Sequence, residues 1–176
     1  MIPGEKTTLR AMEKRDIELL RNLRNHPDMR RWHCSHMLVS DIEQEEWYER
    51  SGTDQRNKIF MVDDLNGNTV GYVQLRNIDY KNRSVEIGIH LGPEAQGRGY
   101  GRDAFLLLMR FAFNEMNMHR VYLQVFDFND RAIKLYEKLG FREEGRFRDV
   151  IFQEGRYYDI VQMSILESEF RAQEIG

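Results

Sequence analysis

The chain has 176 residues, 31% of them charged, and a net charge of −3 at neutral pH, a composition typical of a globular domain with a buried core. We therefore expect a single domain over residues 1–176. No apolar run is long enough for a membrane span and the N-terminus lacks the apolar segment of a signal peptide, so we expect a cytoplasmic protein without a membrane partner. The mild acidity, with no basic stripe, argues against nucleic acid as a partner.

The chain has one cysteine, Cys34, which excludes an internal disulfide and a cysteine-based zinc site. This cysteine lies in His33-Cys34-Ser35-His36, a segment that also suggests a metal-ligand pair or an activated thiol. Nucleophilic cysteine chemistry needs a base and an orienting group, which proximity in sequence does not establish. We interpret the segment as an incidental loop cluster and expect no metal.

The N-terminal third has the pattern of one strand followed by two helices. Thr7 to Met12 predicts a short strand, and the helix after it is capped by Asp16 and ended by Asn25-His26-Pro27. Ser40, with Glu43 three residues later, has the spacing of a capping box and predicts the start of the second helix.

After the second predicted helix, apolar and polar residues alternate, which predicts strands. A turn at Asn66-Gly67 separates a first strand from a second one that runs from Thr69 to Ile78. A third strand, Ser84 to Leu91, places Glu86 and His90 on the same face.

The rest of the chain predicts further helices and strands. Apolar residues recur at helical spacing from Phe105 to Met116, and a strand follows from Arg120 to Phe126. Asn129 or Asp130 then caps a short helix, and two further strands occupy residues 141–166. Together these elements predict an α/β (α+β) fold, a mixed sheet with helices on both faces.

The glycine-rich segment Gln96-Gly97-Arg98-Gly99-Tyr100-Gly101 lies between the third predicted strand and the helix after it. Such a turn presents free backbone N–H groups and the positive end of a helix dipole, which favour a phosphate. It lacks the Gly-Lys-Ser/Thr ending of a nucleotide-triphosphate loop. A dinucleotide fingerprint is the alternative, because the last two glycines fit its spacing with Ala104, and Asp127 follows the next strand. That alternative is less favoured, since Gly92 to Gln96 separate the strand from the first glycine.

The second half of the chain resembles the GNAT family of acetyl-CoA-dependent N-acetyltransferases. Two motifs carry the likeness: Gln96-x-x-Gly99-x-Gly101, and the run from Asn129 to Phe141, which reads Asn-Asp-Arg-Ala-Ile-Lys-Leu-Tyr-Glu-Lys-Leu-Gly-Phe. The likeness extends from about Lys58 to Leu166. The resemblance implies a GNAT-type sheet that is mostly antiparallel with splayed central strands, and it implies acetyl-CoA as the co-substrate.

The resemblance also implies which residues bind the cofactor. The glycine turn binds the pyrophosphate through backbone amides, the strand before it offers backbone groups to the pantetheine arm, and Asn129 hydrogen-bonds the cofactor. The implied cofactor-binding residues are Ile89, His90, Leu91, Gln96, Gly97, Arg98, Gly99, Tyr100, Gly101, Arg102, Asn129 and Ala132.

For catalysis, the resemblance implies that Tyr136 protonates the departing thiolate. A tyrosine suits this task because its hydroxyl is protonated at neutral pH and lies at the end of a rigid ring, whereas the alternative is an aromatic side chain packed in the core. Glu86 is the candidate base, since it is a carboxylate on a central strand and can act through a water. The alternative for Glu86 is a substrate-binding or structural ion pair, for example with Arg76 or Arg83.

Within the family, the segments Asn117 to Leu123 and Glu143 to Asp159 resemble the branch of ribosomal-protein N-terminal and spermidine acetyltransferases. We predict acetyl transfer to a primary amine, with a protein N-terminus as the first candidate. A nucleotide-linked amino sugar is second. Two segments, Arg24 to Pro27 and Glu43 to Trp47, resemble segments of acetyltransferases that act on such sugars. A polyamine is third, since Arg30 to His36 stands where polyamine enzymes of this kind have an acid-rich stretch.

Two further expectations concern a different class of function and the assembly. A non-catalytic acyl-CoA-binding regulatory module can share the same fold, although the glycine turn and Tyr136 argue against that alternative. An exposed strand in the last third of the chain can pair subunits, so a homodimer is a further expectation.

Overall fold

The computed structural model describes residues 1–32 and 37–174, so the interpretation of His33-Cys34-Ser35-His36 lies outside the described residues. The chain divides into two compact units, Met1–Leu75 with Ile89–Leu107 and Arg76–Gly88 with Leu108–Gly176. In chain order the elements are β1 (Ile2–Pro3), β2 (Thr7–Ala11), α1 (Ile17–Asn25), α2 (Pro27–Arg30), α3 (Asp41–Thr53), β3 (Lys58–Asp64), β4 (Thr69–Asp79), β5 (Ser84–Leu91), α4 (Tyr100–Arg110), β6 (Arg120–Phe126), α5 (Asp130–Lys138), β7 (Arg142–Gln153), β8 (Arg156–Leu166) and α6 (Glu167–Glu174).

The strands form an eight-stranded sheet in the order β1-β2-β3-β4-β5-β6-β8-β7. The pairs β1–β2, β2–β3, β3–β4, β6–β8 and β7–β8 are antiparallel, whereas β5 and β6 are parallel. The parallel register joins Ser84–Glu86 to Arg120–Tyr122, and both strands run on beyond it, as expected for splayed central strands. The predicted mixed, mostly antiparallel GNAT-type fold is therefore confirmed.

The first unit packs its helices around a small apolar core. Leu20 of α1, Met61 of β3 and Tyr72 of β4 are buried there, and partly buried side chains surround them: Met12, Leu19, Leu23, Trp47 and Ile59. The amide of Asn25 fastens the end of α1 to the backbone N–H and carbonyl of Val39, with two hydrogen bonds of 2.8 Å. Apolar burial and these two bonds together fix α1 next to the segment that leads into α3.

A buried ion cluster ties β2 to the start of α1 in the first unit. The guanidinium of Arg10 donates to both carboxylate oxygens of Asp16, at 2.7 and 2.8 Å, and to Asp63 at 2.7 Å. Asp16 is the N-cap residue of α1, as predicted, but its side chain makes no capping hydrogen bond, because the carboxylate accepts from Arg10 and from the N–H of Glu13 instead. Burial alone raises the pKa of Asp16, but these hydrogen bonds outweigh it and hold the pKa below its ordinary value.

The second unit is built on β6, β8 and β7 with α5, α6 and the end of α4. Its interior is apolar, and the buried residues include Val85, Ile87, Leu108, Phe113, Val121, Leu123, Val161, Met163, Ile165 and Phe170. The helix predicted over Phe105 to Met116 is α-helical only as far as Arg110. A π-helical turn follows over Phe111–Glu115, where the N–H of Met116 donates to the carbonyl of Phe111. β7 is exposed along most of its length, and the predicted homodimer through such a strand stays a prediction.

Most of the predicted elements are confirmed, and the bounds of β5 and β6 agree with the prediction residue for residue. The capping box of Ser40 and Glu43 is present at α3, and Asn129 rather than Asp130 caps α5. Pro27 follows the end of α1, as predicted, but it also occupies the first turn of the unpredicted α2. The short β1 and the C-terminal α6 were likewise not predicted. Among the described helices, none is long and apolar enough to cross a membrane.

Replacing Asp16 by Asn should lower the free energy of unfolding by about 3 kcal/mol at pH 7, because the Arg10 side chain is only 10% exposed and loses one of its two charged partners. A carboxyl whose folded pKa is lowered contributes stability above its unfolded pKa, which is about 4. That contribution disappears as the pH falls through the folded pKa. Denaturant unfolding should therefore separate wild type from the variant at pH 7 and much less at pH 3. An equal difference at both pH values would contradict the ionic origin of the effect.

Candidate active site

The glycine turn lies in the first unit, between the 3-10 turn Pro93–Ala95 and the first turn of α4. Gly97 and Gly99 have φ angles of 80° and 85°, in the left-handed region that strains any residue with a side chain. In the described part of the chain, the backbone N–H groups of residues 97–102 donate to no acceptor. Successive unpaired N–H groups at the start of an 11-residue helix are suited to hold an anion. The turn therefore fits the pyrophosphate of acetyl-CoA.

A carboxylate in the first turn of α4 fastens the N-terminal segment to this helix. Asp103 accepts hydrogen bonds from the N–H groups of Glu5, Lys6 and Thr7, at 3.2, 2.9 and 2.8 Å, and from the Thr7 hydroxyl at 2.7 Å. Burial raises the pKa of Asp103, but these donors outweigh it and bring the pKa below its ordinary value. The ammonium of Lys6 donates to the carbonyl of Arg98 in the glycine turn, at 3.3 Å. The sequence gives no sign of the contact between Lys6 and Asp103, because they are 97 positions apart along the chain.

The end of β5, predicted to face the pantetheine arm, lies tightly against β4 in the first unit. A Cβ at Gly71 would lie 2.2 Å from the carbonyl oxygen of His90 and 2.8 Å from the Cα of Leu91, so only glycine fits. The His90 ring stacks on Tyr72 at 4.8 Å between centroids, and its Nε2 lies 3.3 Å from the amide nitrogen of Gln74. The side chain of His90 is therefore a packing group, and its predicted cofactor contact is through the backbone.

Glu86, the candidate base, lies in the second unit and is only 5% exposed. One carboxylate oxygen accepts from the guanidinium of Arg76, and the other accepts from the amide of Asn77 at 2.9 Å. Arg83 bonds instead to the carbonyl and side chain of Asn117, at 2.7 and 2.8 Å. Of the two partners considered, the ion pair forms with Arg76.

Tyr122 adds a third polar group to the surroundings of Glu86. Its pKa is raised, first by burial and then by the negative charge of Glu86. The guanidinium of Arg120 lies over the Tyr122 ring, 4.6 Å from its centroid. Glu86 is thus a buried carboxylate with a cation, an amide and a protonated phenol around it.

Tyr136 and Asn129 both belong to α5 and its cap in the second unit. Tyr136 is 8% exposed, and burial raises its pKa to about 12, so the hydroxyl keeps its proton at neutral pH. The Asn129 side-chain oxygen accepts from the N–H of Ala132 at 3.2 Å, which leaves the Asn129 amide nitrogen as a donor. The Ala132 N–H is engaged within the protein, and the roles that the resemblance implies for these three residues stay predictions.

The family model described as an acetyltransferase (GNAT) domain matches residues 6–142. The chain therefore belongs to the GNAT family. It is an N-acetyltransferase, an enzyme that transfers the acetyl group of acetyl-CoA to an amine. Family membership and the mostly antiparallel sheet exclude the dinucleotide-binding alternative, which needs a parallel doubly wound sheet.

The relatives of the chain extend over nearly its whole length. It is 36% identical to spermidine N(1)-acetyltransferase of Vibrio cholerae, over 95% of this chain and 96% of that protein. It is 27% identical to a putative ribosomal N-acetyltransferase of Bacillus subtilis, over 97% and 96%. The crystal structure of spermidine N-acetyltransferase from Vibrio cholerae in complex with CoA and spermine matches with a TM-score of 0.90 at 36% identity, covering 94% of this chain and 98% of that one.

Proposed function

We propose that the chain acetylates a primary amine of a polyamine, with spermidine as the first candidate. The observation that carries the proposal is the similarity to a spermidine N(1)-acetyltransferase over 95% of the chain. The match to a structure that holds CoA and spermine adds support. A protein N-terminus, the first candidate of the sequence analysis, has weaker support from a relative at 27% identity. The polyamine alternative is therefore better supported than the protein N-terminus.

The charge of α3 also supports a cationic substrate. This helix carries five carboxylates and one arginine. Asp41 pairs with Arg21, and Glu43 is used in the capping box. Glu45 and Glu49, one helical turn apart, are exposed and have no partner among the described residues. Polyamines carry several positive charges at neutral pH, so an acidic helix raises their local concentration.

Free CoA should be released from acetyl-CoA faster with spermidine or spermine than with a ribosomal N-terminal peptide or a UDP-linked amino sugar. A thiol-reactive dye measures the rate with each amine at the same concentration. The KM for spermidine should rise with ionic strength, because salt screens the attraction between exposed charges. A response confined to the peptide or to the sugar would replace the polyamine by that class of substrate.

A charge variant tests the contribution of α3 to the same reaction. The double variant Glu45→Gln with Glu49→Gln should raise the KM for spermidine by roughly three-fold to ten-fold and leave kcat unchanged. Glu115→Gln, which removes an exposed carboxylate of the second unit, is the control and should leave the KM unchanged. An unchanged KM in the double variant would remove α3 from polyamine binding.

The reaction requires a neutral amine, and it releases a thiolate that must be protonated. Acetyl-CoA supplies an acetyl group activated by its bond to sulfur. The amine nitrogen forms the new bond to the carbonyl carbon, the carbon–sulfur bond breaks, and the Tyr136 hydroxyl gives its proton to sulfur. Burial suits Tyr136 to this role, since its raised pKa keeps the proton available over the physiological range.

Tyr136→Phe should lower kcat by about 100-fold, because the general acid is lost while the packed ring remains. The dissociation constant of acetyl-CoA, measured by calorimetry, should stay within about two-fold of wild type. Tyr158→Phe is the matched control, because Tyr158 is also a tyrosine of the second unit with 8% exposure. If Tyr136→Phe turns over as fast as that control, Tyr136 is only a core aromatic.

Glu86 is proposed to accept the amine proton through a water. Arg76 and Asn77 each use one lone pair of the carboxylate, which has about four acceptor positions, so positions remain for a water. Arg76 also compensates the charge of the buried carboxylate through their ion pair.

Glu86→Gln should lower kcat/KM by roughly 100-fold at pH 7, because the variant has no carboxylate to take up the proton. The rate should recover as the pH rises, since bulk solvent then deprotonates the amine. Glu167→Gln, which removes another arginine-paired carboxylate, is the control. A lowered melting temperature with a pH–rate profile parallel to wild type would make Glu86 a structural ion-pair partner.

A further inference from the structure

Lys6 is a cation that the N-terminal segment places on the glycine turn. Its ammonium donates to the carbonyl oxygen of Arg98 at 3.3 Å. A Cβ built at Gly99 would lie 2.9 Å from the Lys6 Nζ and 3.4 Å from its Cδ. The lysine side chain therefore fills the space that a side chain at Gly99 would take. Since Lys6 is exposed and no carboxylate of the described residues pairs with it, the ammonium has donors left for a ligand.

The position of Lys6 is set by its backbone rather than by its flexible side chain. Asp103 accepts the N–H groups of Lys6 and of both of its neighbours, and it comes from the helix that the turn begins. Gly4 precedes these hydrogen-bonded residues and lies tightly against α4, because a Cβ there would be 2.6 Å from Asp103 Oδ2 and 2.7 Å from Leu107 Cδ1. The N–H of Gly4 donates to the Thr7 carbonyl at 2.8 Å, which closes the turn. The backbone of Lys6 is thus anchored to the first turn of α4 by contacts that do not involve the lysine charge.

The unpaired N–H groups of residues 97–102 and the Lys6 ammonium suit the same ligand chemistry. Backbone amides carry only partial charge, whereas a diphosphate carries a full negative charge on its oxygens. A lysine supplies the compensating point charge and has three rotatable donors. Asp103 is the nearby carboxylate. It accepts hydrogen bonds from backbone N–H groups and does not pair with the Lys6 ammonium.

We propose that Lys6 is a further cofactor-binding residue, whose ammonium contacts the diphosphate of acetyl-CoA at the glycine turn, and that Asp103 is the residue that positions it. This inference rests on the proposed binding of acetyl-CoA by that turn. It adds an N-terminal residue, outside the glycine motif, to the cofactor site.

Isothermal titration calorimetry with three ligands tests the proposal: CoA, dephospho-CoA, which lacks the 3′-phosphate but keeps the diphosphate, and pantetheine, which has no phosphate. Lys6→Met should weaken CoA and dephospho-CoA by about ten-fold and leave pantetheine unchanged. Lys6→Arg should restore most of the affinity. The salt dependence of CoA binding should become weaker in Lys6→Met, because one charge pair is lost. Lys81→Met, at an exposed lysine of the second unit, is the control and should bind all three ligands as wild type does.

A second variant tests the positioning role. Asp103→Asn should weaken CoA binding, and the double variant with Lys6→Met should be no weaker than Lys6→Met alone, because both changes remove the same contact. Pantetheine affinity reports any general damage to the site in this variant.

Several results would overturn the proposal. Unchanged CoA affinity in Lys6→Met, or an equal loss for pantetheine, would make Lys6 a structural residue. A loss for CoA that is absent for dephospho-CoA would assign Lys6 to the 3′-phosphate instead of the diphosphate. Failure of the wild-type chain to bind CoA would overturn the proposed function together with this inference, whereas normal wild-type binding with an unaffected Lys6→Met would overturn this inference alone.

Discussion

The hydrogen bonds to the carboxylate of Asp103 are the interaction on which the arrangement around the glycine turn depends. It collects three backbone N–H groups and one hydroxyl from Glu5 to Thr7, and it stands in the first turn of the helix that the glycine turn begins. Each bond is modest, but several on one carboxylate leave the N-terminal segment little freedom. Because that segment is fixed, the unpaired N–H groups of the turn and the Lys6 ammonium are held in positions suited to bind an anion.

Buried carboxylates elsewhere follow the same physical rule. Asp16 is paired with Arg10, and Glu86 with Arg76 and Asn77, because a buried charge without a partner costs several kcal/mol. The consequence is that the carboxylate of Glu86 is held in one orientation by two donors. Tyr136 shows the opposite effect of burial: desolvation raises its pKa, and the proton stays on oxygen. The proposed proton acceptor and the proposed proton donor therefore lie in two different kinds of surroundings.

Sequence patterns predicted the regular elements well where local signals agree with the tertiary fold. Strict alternation from Ser84 to Leu91 predicted β5, and the Ser40–Glu43 capping box predicted the start of α3. Asp16 occupies the predicted N-cap position of α1, but its side chain does not cap the helix, because Arg10 competes for the carboxylate and the sequence does not show that contact. The π turn at the end of α4 was also missed, since the apolar spacing before it is that of an ordinary helix.

The sequence by itself determined the family, the strand–turn–helix that suits a phosphate, and the identity of the candidate acid and base, because these depend on residue types at short spacing. Only the tertiary structure decided which side chains contact the candidate base and the glycine turn. Arg76 rather than Arg83 pairs with Glu86, and Lys6 reaches a turn more than 90 residues away along the chain. Contacts of that kind depend on strand pairing and side-chain burial, which bring together residues whose order in the sequence carries no sign of the contact.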